Sequence, residues 1–200
     1  MANFNDKLKI YMIHNPKTAG IAMKQALGIP MIPNTAHKNP AFYRKRFPKK
    51  WNDYFKFIFI RHPLDRFVSA YYFNVVMCRY REQTNPVNKI FANNNFDEFL
   101  SWCAGKPKSF FNRWLIHFKP QMYWMKYDDT KDYVNYNFVG HYERLLQDFE
   151  ALCKAVGMQP RRLPIQNKTD HKNYMDYYTV KTAAIVRNIY HEDFLYLGYK

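Results

Sequence analysis

Apolar residues fall along this chain in two kinds of run, and the difference predicts the elements. Leu8–His14 (LKIYMIH) and Phe55–Ile60 (FKFIFI) are short, nearly continuous and rich in β-branched and aromatic side chains. That is the composition of strands, and in FKFIFI of a parallel strand covered on both faces. Each run is cut by an X-Pro turn, Asn15-Pro16 in one case and His62-Pro63 in the other, and each turn opens onto helical spacing. The first helix is expected over Thr18–Leu27, ended by Gly28 and Pro30. The second is expected over Leu64–Tyr80, where Leu64, Phe67, Val68, Tyr71 and Val75 recur at helical intervals.

The remaining segments are read the same way. Met31–Lys50 is polar, basic and interrupted by proline, so it is expected to be loop with one short helix at Phe42–Phe47. Asn85–Asn95 is expected to be a polar loop, and Phe96–Cys103 a short amphipathic helix stopped by Gly105-Lys106-Pro107. Gln121–Tyr127 and Asn137–Gly140 are candidate strands. Glu143–Val156 sets Leu145, Phe149, Leu152 and Val156 on one helical face, with Gly157 as the C-terminal stop. Asn167–Tyr174 reads as a basic loop, Tyr178–Tyr190 as a last helix, and Phe194–Tyr199 as an aromatic tail. Strands alternating with helices predict an α/β fold with a mostly parallel sheet.

Composition narrows the classes. At 200 residues, one domain over 1–200 is the expectation. Hydrophobic residues at 48% and aromatic residues at 19% argue against intrinsic disorder. Lys and Arg number 31 against 16 Asp and Glu, a net charge of +15. That surplus points to an anionic partner: a nucleotide-like cofactor, a nucleic acid, an acidic glycan or an anionic membrane. Cys78, Cys103 and Cys153 form no CxxC pair and the histidines form no HExxH, so neither a disulfide framework nor a metal site is expected. No apolar run approaches the ~20 residues of a membrane span. The opening MANFNDKLKI lacks the layout of a signal peptide. A cytoplasmic location is the resulting expectation.

Parallel α/β sheets bind ligands beyond the carboxyl ends of their strands, where free backbone N–H groups receive phosphate or sulfate. Both strand–turn–helix units carry a cation there: Lys17, followed by Thr18 and Gly20, in the first, and Arg61, with Ser69 farther along the helix, in the second. A ligand with two separated anionic groups matches two such ends. GxxxxGK[ST] is absent, which disfavours an ordinary ATPase or kinase.

His14-Asn15-Pro16-Lys17-Thr18-Ala19-Gly20 resembles the PKTGGTS-type loop of sulfotransferases, and FIFIRHPLDRFVSAY over Phe57–Tyr71 resembles their FVRNPxDRxxSxY segment. Asn137–Gly157 and Asn167–Tyr199 are similar to two further stretches of that family, in the family's order, so the resemblance covers nearly the whole chain. It is closest to the carbohydrate-type members of compact, bacterial-like build. The resemblance implies a P-loop-like three-layer domain and the donor 3′-phosphoadenosine 5′-phosphosulfate. It implies that Lys17 with Thr18, Ala19, Gly20, Ile21 and Ala22 holds the 5′-phosphosulfate, and that Arg61 and Ser69 hold the 3′-phosphate. Lys168 and His171 lie in a family-like loop and are candidates for donor or acceptor contact. His37 is the candidate base for an acceptor hydroxyl or amine, the expected acceptor being a glycan, and an anionic one would account for the surplus positive charge.

Two departures from the family pattern stand out. Ile21-Ala22 replaces the usual Thr-Ser, removing two hydroxyls from the loop, and Gly140-His141 replaces Gly-Arg. Two other readings stay open: a family member that binds the nucleotide without turnover, and a basic nucleic-acid-binding module. Asp65 is expected to cap its helix, Arg66 to form an internal ion pair, His62 to bond backbone, and His14 to be buried beside the loop.

Overall fold

The computed structural model describes residues 3–31, 37–78, 86–93, 95–106, 110, 115–159, 161–164 and 172–200. In chain order the elements are β1 (Phe4–Asn5), β2 (Ile10–Ile13), α1 (Gly20–Ala26), α2 (Pro40–Arg46), α3 (Pro48–Asp53), β3 (Phe55–Ile60), α4 (Pro63–Cys78), α5 (Pro86–Asn93) and α6 (Phe96–Ala104). There follow α7 (Met122–Met125), β4 (Phe138–His141), α8 (Leu145–Ala155), α9 (Val180–Ile189) and α10 (His191–Tyr196). The chain packs as two compact units, one of Met1–Arg61 with Gln121–Asn167, the other of His62–Pro120 with Lys168–Lys200.

The first unit is built on a sheet of order β1-β2-β3-β4, in which β2, β3 and β4 run parallel and β1 pairs antiparallel to β2. Side chains alternate between its faces. Ile10, Met12, Phe57 and Phe59 pack with Ala22, Met23 and Ala26 of α1 and with Phe149, Leu152 and Cys153 of α8. On the other face Tyr11 meets the rings of Tyr43 in α2 and Trp51 in α3, with centroids 5.4 Å and 5.3 Å away. Both faces are therefore covered, which is why β3 is almost continuously apolar. The α/β class with a mostly parallel sheet flanked by helices holds. Gly28 and Gly157 end α1 and α8 in the left-handed conformation, at φ +62° and +71°, the role a C-terminal glycine serves.

The second unit has a helical, aromatic core. Phe67 and Tyr71 of α4 pack with Phe91 of α5, Phe96 and Phe99 of α6, Phe118, and Val186 and Tyr190 at the end of α9. Arg66 is fully buried within this unit, and its guanidinium donates to the carbonyls of His117 (3.0 Å) and Lys119. The expected internal ion pair is thus replaced by carbonyl partners, which suits a planar guanidinium with two donor edges. His62 bonds backbone as expected, through Nε2 to the carbonyl oxygen of Lys200 at 3.3 Å.

Several expected elements change. Gln121–Tyr127 holds the helix α7 instead of a strand. The side chain of Gln121 is tied to the ends of β2 and β3, so tertiary anchoring overrides the β preference of its aromatics. Asn85–Asn95 contains the helix α5, opened by Pro86 and anchored by buried Phe91. Residues 37–50 hold α2 and the start of α3 where one short helix was expected, the second begun by Pro48. The C-terminal tail forms α10. Among the described residues no helix is long and apolar enough to cross a membrane.

Candidate active site

The site starts from a turn that ordinary residues rarely make. After β2 the chain reaches Lys17 and Ala19, both left-handed at φ 69° and 60° without being glycine. Such a conformation costs an L-residue energy and persists where the surroundings over-determine it. Thr18 between them keeps ordinary φ. Alternation of this kind turns successive N–H groups toward one concavity, an anion nest. It also explains why α1 begins at Gly20 rather than at Thr18.

Buried polar bonds hold the turn. Asn15 donates its amide to the carbonyl of Phe59 (3.0 Å) and to Oε1 of Gln121 (2.8 Å). Gln121 also accepts the backbone N–H of Arg61 at 3.0 Å and donates to the Arg61 carbonyl at 2.8 Å. One side chain thereby rivets the ends of β2 and β3. The Thr18 hydroxyl is used locally, donating to the carbonyl of Asn15 at 2.8 Å. Arg61, 5% exposed, donates Nη1–H to the carbonyl of Lys17 at 3.0 Å and lays its guanidinium carbon 3.9 Å from the ring centre of Tyr142. The cations that the sequence sets at two strand ends therefore meet at one loop.

A histidine pair lines the same turn. His14 is buried, as expected, and its ring lies against Gly20: a Cβ at that position would sit 2.0 Å from His14 Nε2. Only glycine admits this approach. The rings of His14 and His37 are 4.4 Å apart, and His37 Nδ1 lies 3.0 Å from the carbonyl oxygen of His14. A carbonyl only accepts, so Nδ1 carries the proton and Nε2 is the basic nitrogen of the neutral ring.

The electrostatics are those of cations without enough anion. Burial, aided by Arg61, pulls the Lys17 ammonium down to about 7. Burial pulls Lys24 down to about 8. His37 is lowered to about 4, chiefly by burial; its bond to the His14 carbonyl opposes the shift, and the charges of Lys24 and Lys17 add to it. The imidazole is neutral at physiological pH.

Of the residues the sequence marks, Lys17, Thr18, Ala19, Gly20, Ile21, Ala22, Arg61 and His37 all fall in the first unit. Ser69 is buried in α4 of the second. Lys168 and His171 lie outside the described residues, as do Thr35 and Ala36. His141 stands beside Asp148, which accepts its backbone N–H at 2.7 Å and also approaches Arg144. Trp124 is fully buried in the core. Sequence reasoning missed Asn15, Gln121, Tyr142 and Lys24. For Lys24 a signal existed: with Gly20, Met23 and Leu27 it occupies the inward positions of α1.

Comparison with known proteins was consistent across the chain. The model of the sulfotransferase family matches residues 2–200. Carbohydrate sulfotransferase 10 of Gallus gallus is 25% identical over 98% of this chain and 65% of its own length. Carbohydrate sulfotransferase 10 of Xenopus laevis is 21% identical over 98% of the chain and 66% of its own length. The chain thus spans just under two thirds of the length of these relatives. No solved structure matches it.

Proposed function

The chain belongs to the sulfotransferase family, and from that premise we propose that it transfers a sulfuryl group from 3′-phosphoadenosine 5′-phosphosulfate to a hydroxyl of a carbohydrate acceptor. The observation that carries this reading is the left-handed turn at Lys17 with Arg61 docked on its carbonyl: backbone donors and two cations gathered at one strand end. That donor set fits a phosphosulfate. The two relatives are named as carbohydrate sulfotransferases, which supports a carbohydrate as acceptor.

When bound, the donor supplies the sulfuryl group: an acceptor oxygen bonds to sulfur as the bond from sulfur to the nucleotide's phosphate oxygen breaks. The loop from Lys17 to Ala22 holds the phosphosulfate through backbone N–H groups and the Lys17 ammonium. Lys17 offsets the charge that gathers on the leaving oxygen, the kind of fixed electrostatic support that dominates in loose transfers of this type. Arg61 holds the loop's shape through the Lys17 carbonyl and adds charge beside it. His37 takes the acceptor proton on Nε2. The cations that keep its basicity low are the ones an incoming anion offsets, so the imidazole becomes a better base once the donor is in place.

Thermal denaturation with adenosine 3′,5′-bisphosphate, ATP and a single-stranded oligonucleotide tests the reading. Selective stabilisation by the bisphosphate is expected, since a ligand that binds only the folded state raises its melting temperature. Equal responses, or a response to the oligonucleotide alone, would refute it in favour of general polyanion binding.

A further inference from the structure

Lys24 is a buried polar residue that the proposed chemistry leaves unused. It is 2% exposed, and among the described residues it makes no hydrogen bond and no ion pair. An ammonium on a side chain this deeply buried is costly without a partner, and a bound anion would supply one. Its position narrows the ligand. Lys24 stands one turn beyond Gly20 on α1, the glycine against which the His14 ring rests, and His14 stacks on His37. Its charge acts on His37 ahead of that of Lys17. Lys24 is thereby a neighbour of His37, the group that would meet the acceptor.

The loop also lacks the side chains that would serve a sulfuryl group there. Ile21 and Ala22 have no hydroxyl, and the Thr18 hydroxyl donates its proton to Asn15. We infer that Lys24 is a second anion-holding cation of the site, binding the oxygens of the sulfuryl group while Lys17 serves the phosphate side. This rests on the proposed sulfotransferase reading and goes beyond it by naming which part of the donor Lys24 recognises. A sulfuryl oxygen draws charge as sulfur changes partners, and an ammonium already free of other bonds meets that charge without rearrangement.

The test is calorimetric titration of the wild-type chain and Lys24→Met, without acceptor, against two probes: the full donor, and adenosine 3′,5′-bisphosphate, which lacks the sulfuryl group. Lys24→Met is expected to bind the donor about tenfold more weakly, one charge-assisted contact's worth, and the bisphosphate within about twofold of wild type. Equal weakening toward both probes would overturn the inference by assigning Lys24 to the nucleotide. Unchanged affinity for both would reduce Lys24 to a core stem and overturn it too. A wild-type chain that binds neither probe refutes the donor reading itself, and the inference with it, before any variant is made. Should Lys24→Met fail to fold, the wild-type ammonium can be followed by ¹³C NMR of labelled lysine: its titration must rise when the full donor is added and stay in place with the bisphosphate. A rise with both, or with neither, is again fatal.

Discussion

Lys24 in α1 and Arg66 in α4 are both cations of helix interiors, 2% and 0% exposed, but they are buried on different terms. In the second unit the terminal nitrogens of Arg66 have carbonyl acceptors, the guanidinium lies 5.0 Å from the ring centre of Tyr190, and the Tyr190 hydroxyl donates to the carbonyl of Phe118 at 2.9 Å. Only its Nε lacks a partner. In the first unit Lys24 has none of this among the described residues. A cation whose bonds are met by the chain itself is a fastening; one whose bonds are left open beside a strained turn waits for something that the chain does not contain. The contrast separates what holds the protein together from what it is for.

The largest expected effects lie in the first unit and concern rate. Lys17→Ala removes the charge at the leaving oxygen and should lower the transfer rate by ~100-fold or more, the size typical of deleting one transition-state donor. His37→Gln should lower it by about 100-fold and remove the acid limb of the rate's pH profile. Rates with radiolabelled donor at saturating acceptor decide both. A His37→Gln enzyme with an unchanged profile would remove the imidazole from the proton path.

Arg66→Met should do the reverse. It removes a donor from the carbonyls of His117 and Lys119 and a buried guanidinium from an aromatic core, which costs about 2–4 kcal/mol. For a chain of this size that is roughly a 5–15 °C fall in melting temperature, readable by calorimetry. If Arg66→Met melts like the wild type, the carbonyls have other partners and the fastening role is lost. Lys24→Met sharpens the contrast, since replacing an unpartnered ammonium by an apolar side chain of similar length should raise the melting temperature of the ligand-free chain.

The same distinction explains what could be read from the sequence. Phe55–Ile60, the helix over Pro63–Cys78 and the helix ending at Gly157 were legible because burial leaves a periodic apolar trace, and the turn cations Lys17 and Arg61 because they follow strand ends. Gln121 was not legible: its segment looks like a strand by composition, and only its bonds to Asn15 and Arg61 make it a rivet. The helix over Pro86–Asn93 was masked by its asparagines, although its opening proline is a start signal. Lys24 was overlooked because a lysine is assumed to face water. The assumption fails where three neighbours on the same stripe, Gly20, Met23 and Leu27, all turn inward.

The smallest expected effect is a slope. Lys17 and Lys24 fall from an ordinary 10.5 to about 7 and about 8 on folding, so between those values and 10.5 the unfolded chain holds more protons than the folded one. Stability then rises with pH across that window. His37, lowered from 6.5 to about 4, gives the same sign between about 4 and 6.5. Buried Tyr11, Tyr43 and Tyr190 are pushed well above their ordinary 10.0, so above that pH the sign reverses. Melting of the ligand-free protein from pH 5 to about 9.5 should therefore climb by a few degrees. Lys24→Met should lose its own share of the climb above about 8 and keep that of Lys17, while Arg66→Met, though less stable throughout, should keep the whole slope. Adenosine 3′,5′-bisphosphate should flatten the part due to Lys17, because a bound phosphate favours its charged form. A ligand-free slope of zero would mean that these cations are hydrated in the folded chain, and the difference between Lys24 and Arg66 would then be one of exposure rather than of purpose.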